Sequence, residues 1–164
     1  MLTAGQKKLL VELKNSLSQA VPEGQISESD YAKTGYHLEM RLNQVGMRRT
    51  AKAMMEQRFL LETVTAVDFI DTFELDYLYS TYYQEICRVI IRVQMPKEAA
   101  PFSISAIYPE AIWLEREVFD FFGIRFQEHP DLKRIINPDD ADYFPLLKNF
   151  GKTKFTDQID DILC

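Results

Sequence analysis

The sequence predicts an α+β fold: an antiparallel sheet of about four strands, with flanking helices and a C-terminal extended arm. Three observations predict it. Four segments between Tyr36 and Met95 are apolar or alternate apolar and polar residues over strand-like lengths. Consecutive strand patterns are joined by short polar stretches, which favours antiparallel neighbours. Segments with a 3.6-residue apolar period stand before, between and after these strands.

The first helix is expected to begin near Thr3, because Thr3 and Gln6 stand at capping-box spacing. Leu9, Leu10, Leu13, Leu17 and Val21 then recur at helical spacing, and Pro22 with Gly24 stops the run. Pro22 to Thr34 is polar and reads as a loop. From Tyr36 to Leu42, Tyr36, Leu38, Met40 and Leu42 face one way and His37, Glu39 and Arg41 the other, a half-buried strand. A helix from about Val45 to Gln57 follows, with Ala51, Met54 and Met55 as its expected inner face.

Phe59 to Val67 is largely apolar and β-branched, which suits a strand. Phe73, Leu75, Tyr77 and Tyr79 alternate against Glu74 and Asp76, and Cys87, Val89, Ile91, Val93 and Met95 against Arg88, Arg92 and Gln94. Pro96 and Pro101 end the sheet region. A last helix is expected from about Tyr108 to Phe122, with Pro109 in its first turn and Gly123 just past its end. Asn137-Pro138-Asp139-Asp140 is a turn. Residues 1–150 read as one domain. Residues 151–164 read as an arm that orders against a partner or forms a short last helix.

Composition excludes several classes of function. The chain of 164 residues carries a net charge of −6, and Arg48, Arg49 and Lys52 are its nearest approach to a basic patch. Nucleic-acid binding needs clustered cations, so none is expected. No apolar run reaches the ~18 residues of a spanning helix, and Met1 to Lys8 has no apolar signal core. The expectation is a soluble, cytoplasmic chain. The two cysteines are Cys87, inside a strand pattern and expected to be a buried free thiol, and the terminal Cys164. Two isolated cysteines and two histidines, His37 and His129, do not make an Fe–S or zinc ligand set. The scattered glycines form no phosphate-binding loop.

The most informative segment is 106–136, AIYPEAIWLEREVFDFFGIRFQEHPDLKRII. Projected at 100° per residue, Phe121, Leu114, Val118, Ala111, Phe122, Phe119 and Ile112 fill one arc, and Arg116, Asp120, Trp113, Glu117 and Glu110 the rest. Glu115 falls inside the apolar arc. Either the helix is rotated so that Glu115 sits at an exposed rim, or Glu115 is buried or interfacial and paired with Arg88, Arg92, Lys133 or a partner residue. The acids of the segment spread over more than half of the helix circumference, so they do not converge on one substrate, and no independent catalysis is expected.

Glu115-Arg116-Glu117, Asp120, Phe121-Phe122, His129, Lys133 and Ile135-Ile136 all fall at one spacing pattern. It is an E-R-E triplet, then an acid with two large apolar residues, a His, a cation and an apolar pair. In this the chain resembles the 30-kDa subunit family of complex I, the C-subunit family of NADH:quinone oxidoreductase. That family includes the related small subunit of energy-converting membrane-bound [NiFe]-hydrogenases. The resemblance is sharp over about residues 106–150. Upstream, only the order of elements is compatible.

The resemblance implies a hydrophilic, non-catalytic subunit that holds no redox centre. It implies partners: a large catalytic subunit (49-kDa-like or hydrogenase large), an Fe–S small subunit and a ferredoxin-like Fe–S subunit. These would carry the Fe–S clusters and, in a hydrogenase, a NiFe centre. Membrane contact would then run only through partner subunits, on the cytoplasmic side. By the same resemblance, Glu115, Arg116, Glu117, Asp120, His129, Asp131, Lys133 and Arg134 carry the structural and interface role. The chain departs from complex I members after residue 142: Tyr143-Phe144-Pro145-Leu146-Leu147-Lys148-Asn149-Phe150 puts Leu147 where they have Arg and Asn149 where they have an acid. That phrase, with the Asn137–Asp140 turn, leans toward the hydrogenase-type complex over the quinone reductase. A reading of another class is a free-standing enzyme or ligand-binding domain with a concave pocket near His129.

Overall fold

The computed structural model describes residues 2–83 and 85–151; all but the first residue of the expected arm, 151–164, lies outside the described residues. Helix α1, Ala4–Ala20, opens with the expected reciprocal cap. Thr3 N–H donates to Gln6 Oε1 and Gln6 N–H to Thr3 Oγ1, each at 3.0 Å. Leu10, Leu13 and Leu17 bury the inner stripe of α1. Burying one such leucine contributes about 1.5–3 kcal/mol.

The stretch expected to be a loop holds two short elements. Strand β1, Gln25–Glu28, pairs antiparallel with β2, Leu38–Asn43. Between them a single turn of helix, α2, Tyr31–Thr34, starts on the Asp30 side chain and ends at Gly35 in the left-handed region. A 3₁₀ turn, Gln44–Gly46, leads into α3, Met47–Glu56. Ala51 and Met54 face inward as expected, but Met55 is exposed: it falls one residue beyond the inward stripe.

Strands β3, Leu60–Asp68, β4, Thr72–Thr81, and β5, Cys87–Pro96, follow the expected segments closely. The sheet order is β1-β2-β5-β4-β3. The α+β class therefore holds, with two differences from the expected sheet: it has five strands, and β2 pairs with β5 in parallel. The parallel pair arises because α3 and the β3–β4 hairpin intervene before β5 returns beside β2. Such a crossover brings two strands into the same direction.

Side chains alternate across the sheet with period two. Met40, Ile91, Tyr77 and Val64 are register partners in one row across β2, β5, β4 and β3. This parity shares a single core with Leu13 and Leu17 of α1, Ala51 and Met54 of α3, and Val118 and Phe122 of α4, Ala111–Phe122. The opposite parity is polar and bonded within itself. Arg92 lies 2.8 Å from Asp76 and 2.9 Å from Glu74, and Arg41 lies 3.1 Å from Glu74.

After Pro96 the chain runs through turns to α4. Tyr108 anchors this connection, donating its hydroxyl to the buried Phe59 carbonyl at 2.8 Å. The regular helix begins at Ala111, with Pro109 and Glu110 in the approach turn. Gly123 ends it at φ 77°, and a Cβ there would stand 2.8 Å from the Phe144 ring, so both backbone and space require glycine. Beyond it, residues 124–151 contain no regular helix or strand among the described residues and lie against α4 through the contacts below. No helix of the described residues is long and apolar enough to cross a membrane.

Candidate functional site

Helix α4 carries four of the eight signature residues, and the coil after it carries the others. Three side chains of α4 point away from solvent and fasten coil to helix.

Glu115 is fully buried, which rules out the exposed-rim alternative. Its partner is none of the expected cations. Arg88 bonds Glu62 and Arg92 bonds Glu74 and Asp76 on the other parity of the sheet, and Lys133 lies 3.0 Å from Asp131. Instead Glu115 Oε1 accepts the Ile104 N–H at 2.9 Å, pinning the turn that precedes the helix. Its other oxygen has no hydrogen-bond partner, and the His129 Nε2 is 3.9 Å away. Burial pushes the Glu115 carboxyl up to about 7, against the pull of Ser103, the Ile104 amide and Arg48.

His129 is held at both ring nitrogens. Nε2 lies 3.0 Å from the Ile112 carbonyl, and Nδ1 accepts the Asp131 N–H at 3.1 Å. A ring nitrogen that accepts from an amide carries no proton, so the Nε2 proton is directed at the carbonyl. The Asp131 carboxylate is exposed and paired with Lys133.

Arg116 is buried and donates from Nε to the Lys133 carbonyl and from Nη2 to the Arg134 carbonyl, each at 3.1 Å. Its guanidinium lies 4.6 Å from the Trp113 ring centroid, in cation–π range.

Asp120 makes the densest contact. Its Oδ2 accepts the backbone N–H groups of Ile135, Ile136 and Asn137 at 3.1, 2.7 and 3.0 Å. Its Oδ1 accepts from Arg134 Nη1 at 2.9 Å and from Asn137 Nδ2 at 3.0 Å. Burial alone would raise the carboxyl. The Ile136 and Asn137 amides and the Arg134 guanidinium outweigh it and hold the group far below the ordinary carboxylate range. Arg134 extends the fastening, donating from Nη2 to the carbonyls of Ala141 and Tyr143 at 2.6 and 3.0 Å.

Signature residues therefore divide in two. Glu115, Arg116, Asp120, His129 and Arg134 are consumed inside the chain, mostly by backbone groups. Glu117, Asp131 and Lys133 are at the surface, and Glu117 makes no side-chain hydrogen bond or ion pair with a described residue. The helical projection placed Arg116 and Asp120 in the polar arc; they are buried because coil, not water, covers that arc.

Three participants were not singled out from the sequence. Asn137 donates from both its backbone and its side chain to Asp120. Arg48 donates to the Ser103 carbonyl at 2.9 Å, pairs with Glu128 at 2.7 Å and lies over the Phe102 ring. Trp113 is exposed on its Arg116 support. The short basic run is not a patch: besides the Arg48 pairing, Arg49 pairs with Glu23, at 2.7 Å. Among the described residues, no group of three or more His, Cys, Asp or Glu could hold a metal ion.

Residues 40–156 match the family model described as respiratory-chain NADH dehydrogenase, 30 Kd subunit. Individual relatives agree. The chain is 39% identical over 100 residues to the NADH-quinone oxidoreductase C subunit of Ruegeria pomeroyi, covering 59% of this chain and 50% of that protein. It is 37% identical over 119 residues to the corresponding C subunit of Roseobacter denitrificans, covering 70% and 59%. With the C subunit of Trichlorobacter lovleyi it shares 41% identity over 96 residues, covering 56% and 59%. The chain spans about half the length of the curated relatives it matches.

Proposed function

We propose, from the premise that this chain belongs to the respiratory-chain NADH dehydrogenase 30 Kd subunit family, that it is a non-catalytic structural subunit of a membrane-bound electron-transfer complex of the complex I type. Its task in this reading is to brace a large catalytic subunit and Fe–S subunits on the cytoplasmic side, with all redox centres in those partners. One observation carries the reading: the signature is spent on structure. Arg116, Asp120 and Arg134 give their polar atoms mainly to backbone groups of residues 133–143, which fixes a long coil in one shape. A general acid or base must be within reach of a substrate proton, and these groups are covered and engaged.

The relatives' names support the complex I type over the hydrogenase type. The hydrogenase reading keeps in its favour the Asn137–Asp140 turn together with the apolar Leu147 and the amide Asn149 in the terminal phrase. Gentle solubilisation of membranes, followed by mass spectrometry of what co-purifies with the chain, tests both. A large partner without terminal Cys-x-x-Cys pairs is the expected result. A large partner with two such pairs, suited to nickel and iron, assigns the chain to a hydrogenase. Recovery of the chain alone in the soluble fraction overturns the subunit reading and favours a free-standing domain.

A further inference from the structure

Trp113 is the chain's only tryptophan, and it is 60% exposed in the first turn of α4. Single exposed apolar residues are ordinary, but this one is supported and flanked in a particular way. The Arg116 guanidinium beneath it is locked by two carbonyls of the adjoining coil, so the indole rests on a fixed platform. Glu110 and Glu117 lie three residues before and four residues after it, on the same side of the helix. Both are exposed, and neither makes a side-chain hydrogen bond or ion pair with a described residue. Glu23, Glu128 and Asp131 pair with cations of the chain, whereas Glu110 and Glu117, like Glu56 and Asp71, pair with no described cation and keep their carboxylates open to solvent or a partner.

From this arrangement we infer that the outward face of α4, with Trp113 between Glu110 and Glu117, is a docking surface for a protein partner that offers an apolar slot rimmed by lysine or arginine. The inference rests on the subunit reading above and deepens it by naming the anchor. An indole inserted into a slot supplies a large apolar contact, and tryptophan is among the residues most enriched at interface hot spots. Because the platform already orders the ring, little side-chain freedom remains to be lost on docking. The two flanking carboxylates set the charge of the rim and bias orientation. The chain's net charge of −6 agrees with a basic partner surface.

The test compares oxidation of Trp113 by N-bromosuccinimide in the isolated chain and in the assembled complex purified in mild detergent, read by peptide mass spectrometry. With one tryptophan, the signal has one source. Protection in the complex is expected, together with cross-links from Glu117→benzoylphenylalanine to a partner peptide bearing Lys or Arg. Trp113→Ala should weaken retention in the complex at least about thirtyfold, the fold-change equivalent to a hot-spot loss of ~2 kcal/mol. Trp113→Phe should restore part of it. Glu117→Lys, at an exposed position beyond the first turn, should weaken retention without lowering the melting temperature.

A chain that sits in the complex with Trp113 oxidised as fast as in isolation overturns the inference and leaves the subunit reading standing. Failure to find the chain in any complex overturns both. Protection already present in the isolated chain, at monomer mass from residues 152–164 or at dimer mass from a second copy, also overturns it, as do cross-links to an acidic partner segment.

Discussion

Arg134 closes on Asp120 from fourteen residues further along the chain, its Nη1 2.9 Å from Oδ1, while three consecutive amides close on Oδ2. Helix and coil are thereby tied by one buried carboxylate, so the stability of the tie depends on that group staying ionised.

Asp120→Ala should destabilise the chain by about 3–5 kcal/mol, since it strands a guanidinium and three amides. The depressed folded-state pKa fixes the pH window. The contribution of Asp120 is fully present above its unfolded value of about 3.9 and is lost as pH falls below it. Urea melts of wild type and variant at pH 7 and pH 3 check this: the gap between them should narrow at the acidic end.

Glu115 behaves in the opposite sense. Its folded value of about 7 lies above its ordinary 4.5, so the folded state retains a proton that the unfolded state releases. Its linkage lowers stability as pH rises from about 4.5 to 7, by up to roughly 3 kcal/mol at about 1.4 kcal/mol per pKa unit. Glu115→Gln keeps an oxygen for the Ile104 amide and removes the titration. The variant should match or exceed wild type at pH 8 and lose that advantage at pH 4.5. Equal pH slopes for the two proteins would show that Glu115 ionises freely.

Arg92→Met should be costly, because Glu74, Asp76 and Glu39 all face that guanidinium. A loss of about 3–5 kcal/mol is expected from stranding partly buried carboxylates. Burial already pushes Asp76 up to about 6 despite Arg92. Without the cation Asp76 resists ionisation further, so the loss should be larger at pH 8 than at pH 5 in thermal melts.

Cys87 is fully buried in β5, and its thiol is pushed up to about 12 by that burial. Thiolate is the reactive form. At pH 8 iodoacetamide should modify Cys87 only as fast as the chain opens, and peptide mapping with and without denaturant reads the difference directly.

Much of this architecture was visible in the sequence because it is periodic. The strands at Leu60, Thr72 and Cys87 and helix α1 with its Thr3–Gln6 cap are set by local pattern, and local pattern is what a single chain displays. Strand β1 escaped because Gln25–Glu28 is a short edge with little buried on either side, so it shows no alternation. The parallel β2–β5 pairing escaped because it depends on where a distant strand returns. In the site, the residue types of the Glu115–Arg134 signature were legible, but their burial was not. A helical projection assigns charge to water, whereas here Arg116 and Asp120 meet backbone groups of an aperiodic segment, which no periodicity reveals. The Pro138 turn and the amide of Asn137 were the nearest available signals.

The sheet order also bears on how the chain comes together. Strand β5 is last in sequence but lies in the middle, and the β1–β2 pair is joined by hydrogen bonds to the β4–β3 pair only through it. Until residue 96 has left the ribosome, the chain can own two separate ribbons, each with an apolar side and no strand pairing between them. Long-range closure of this kind slows folding and prolongs exposure of sticky surface. In pulse-labelled hydrogen exchange, the β3–β4 amides should gain protection first, and those shared by β2 and β5 should follow together in a later phase.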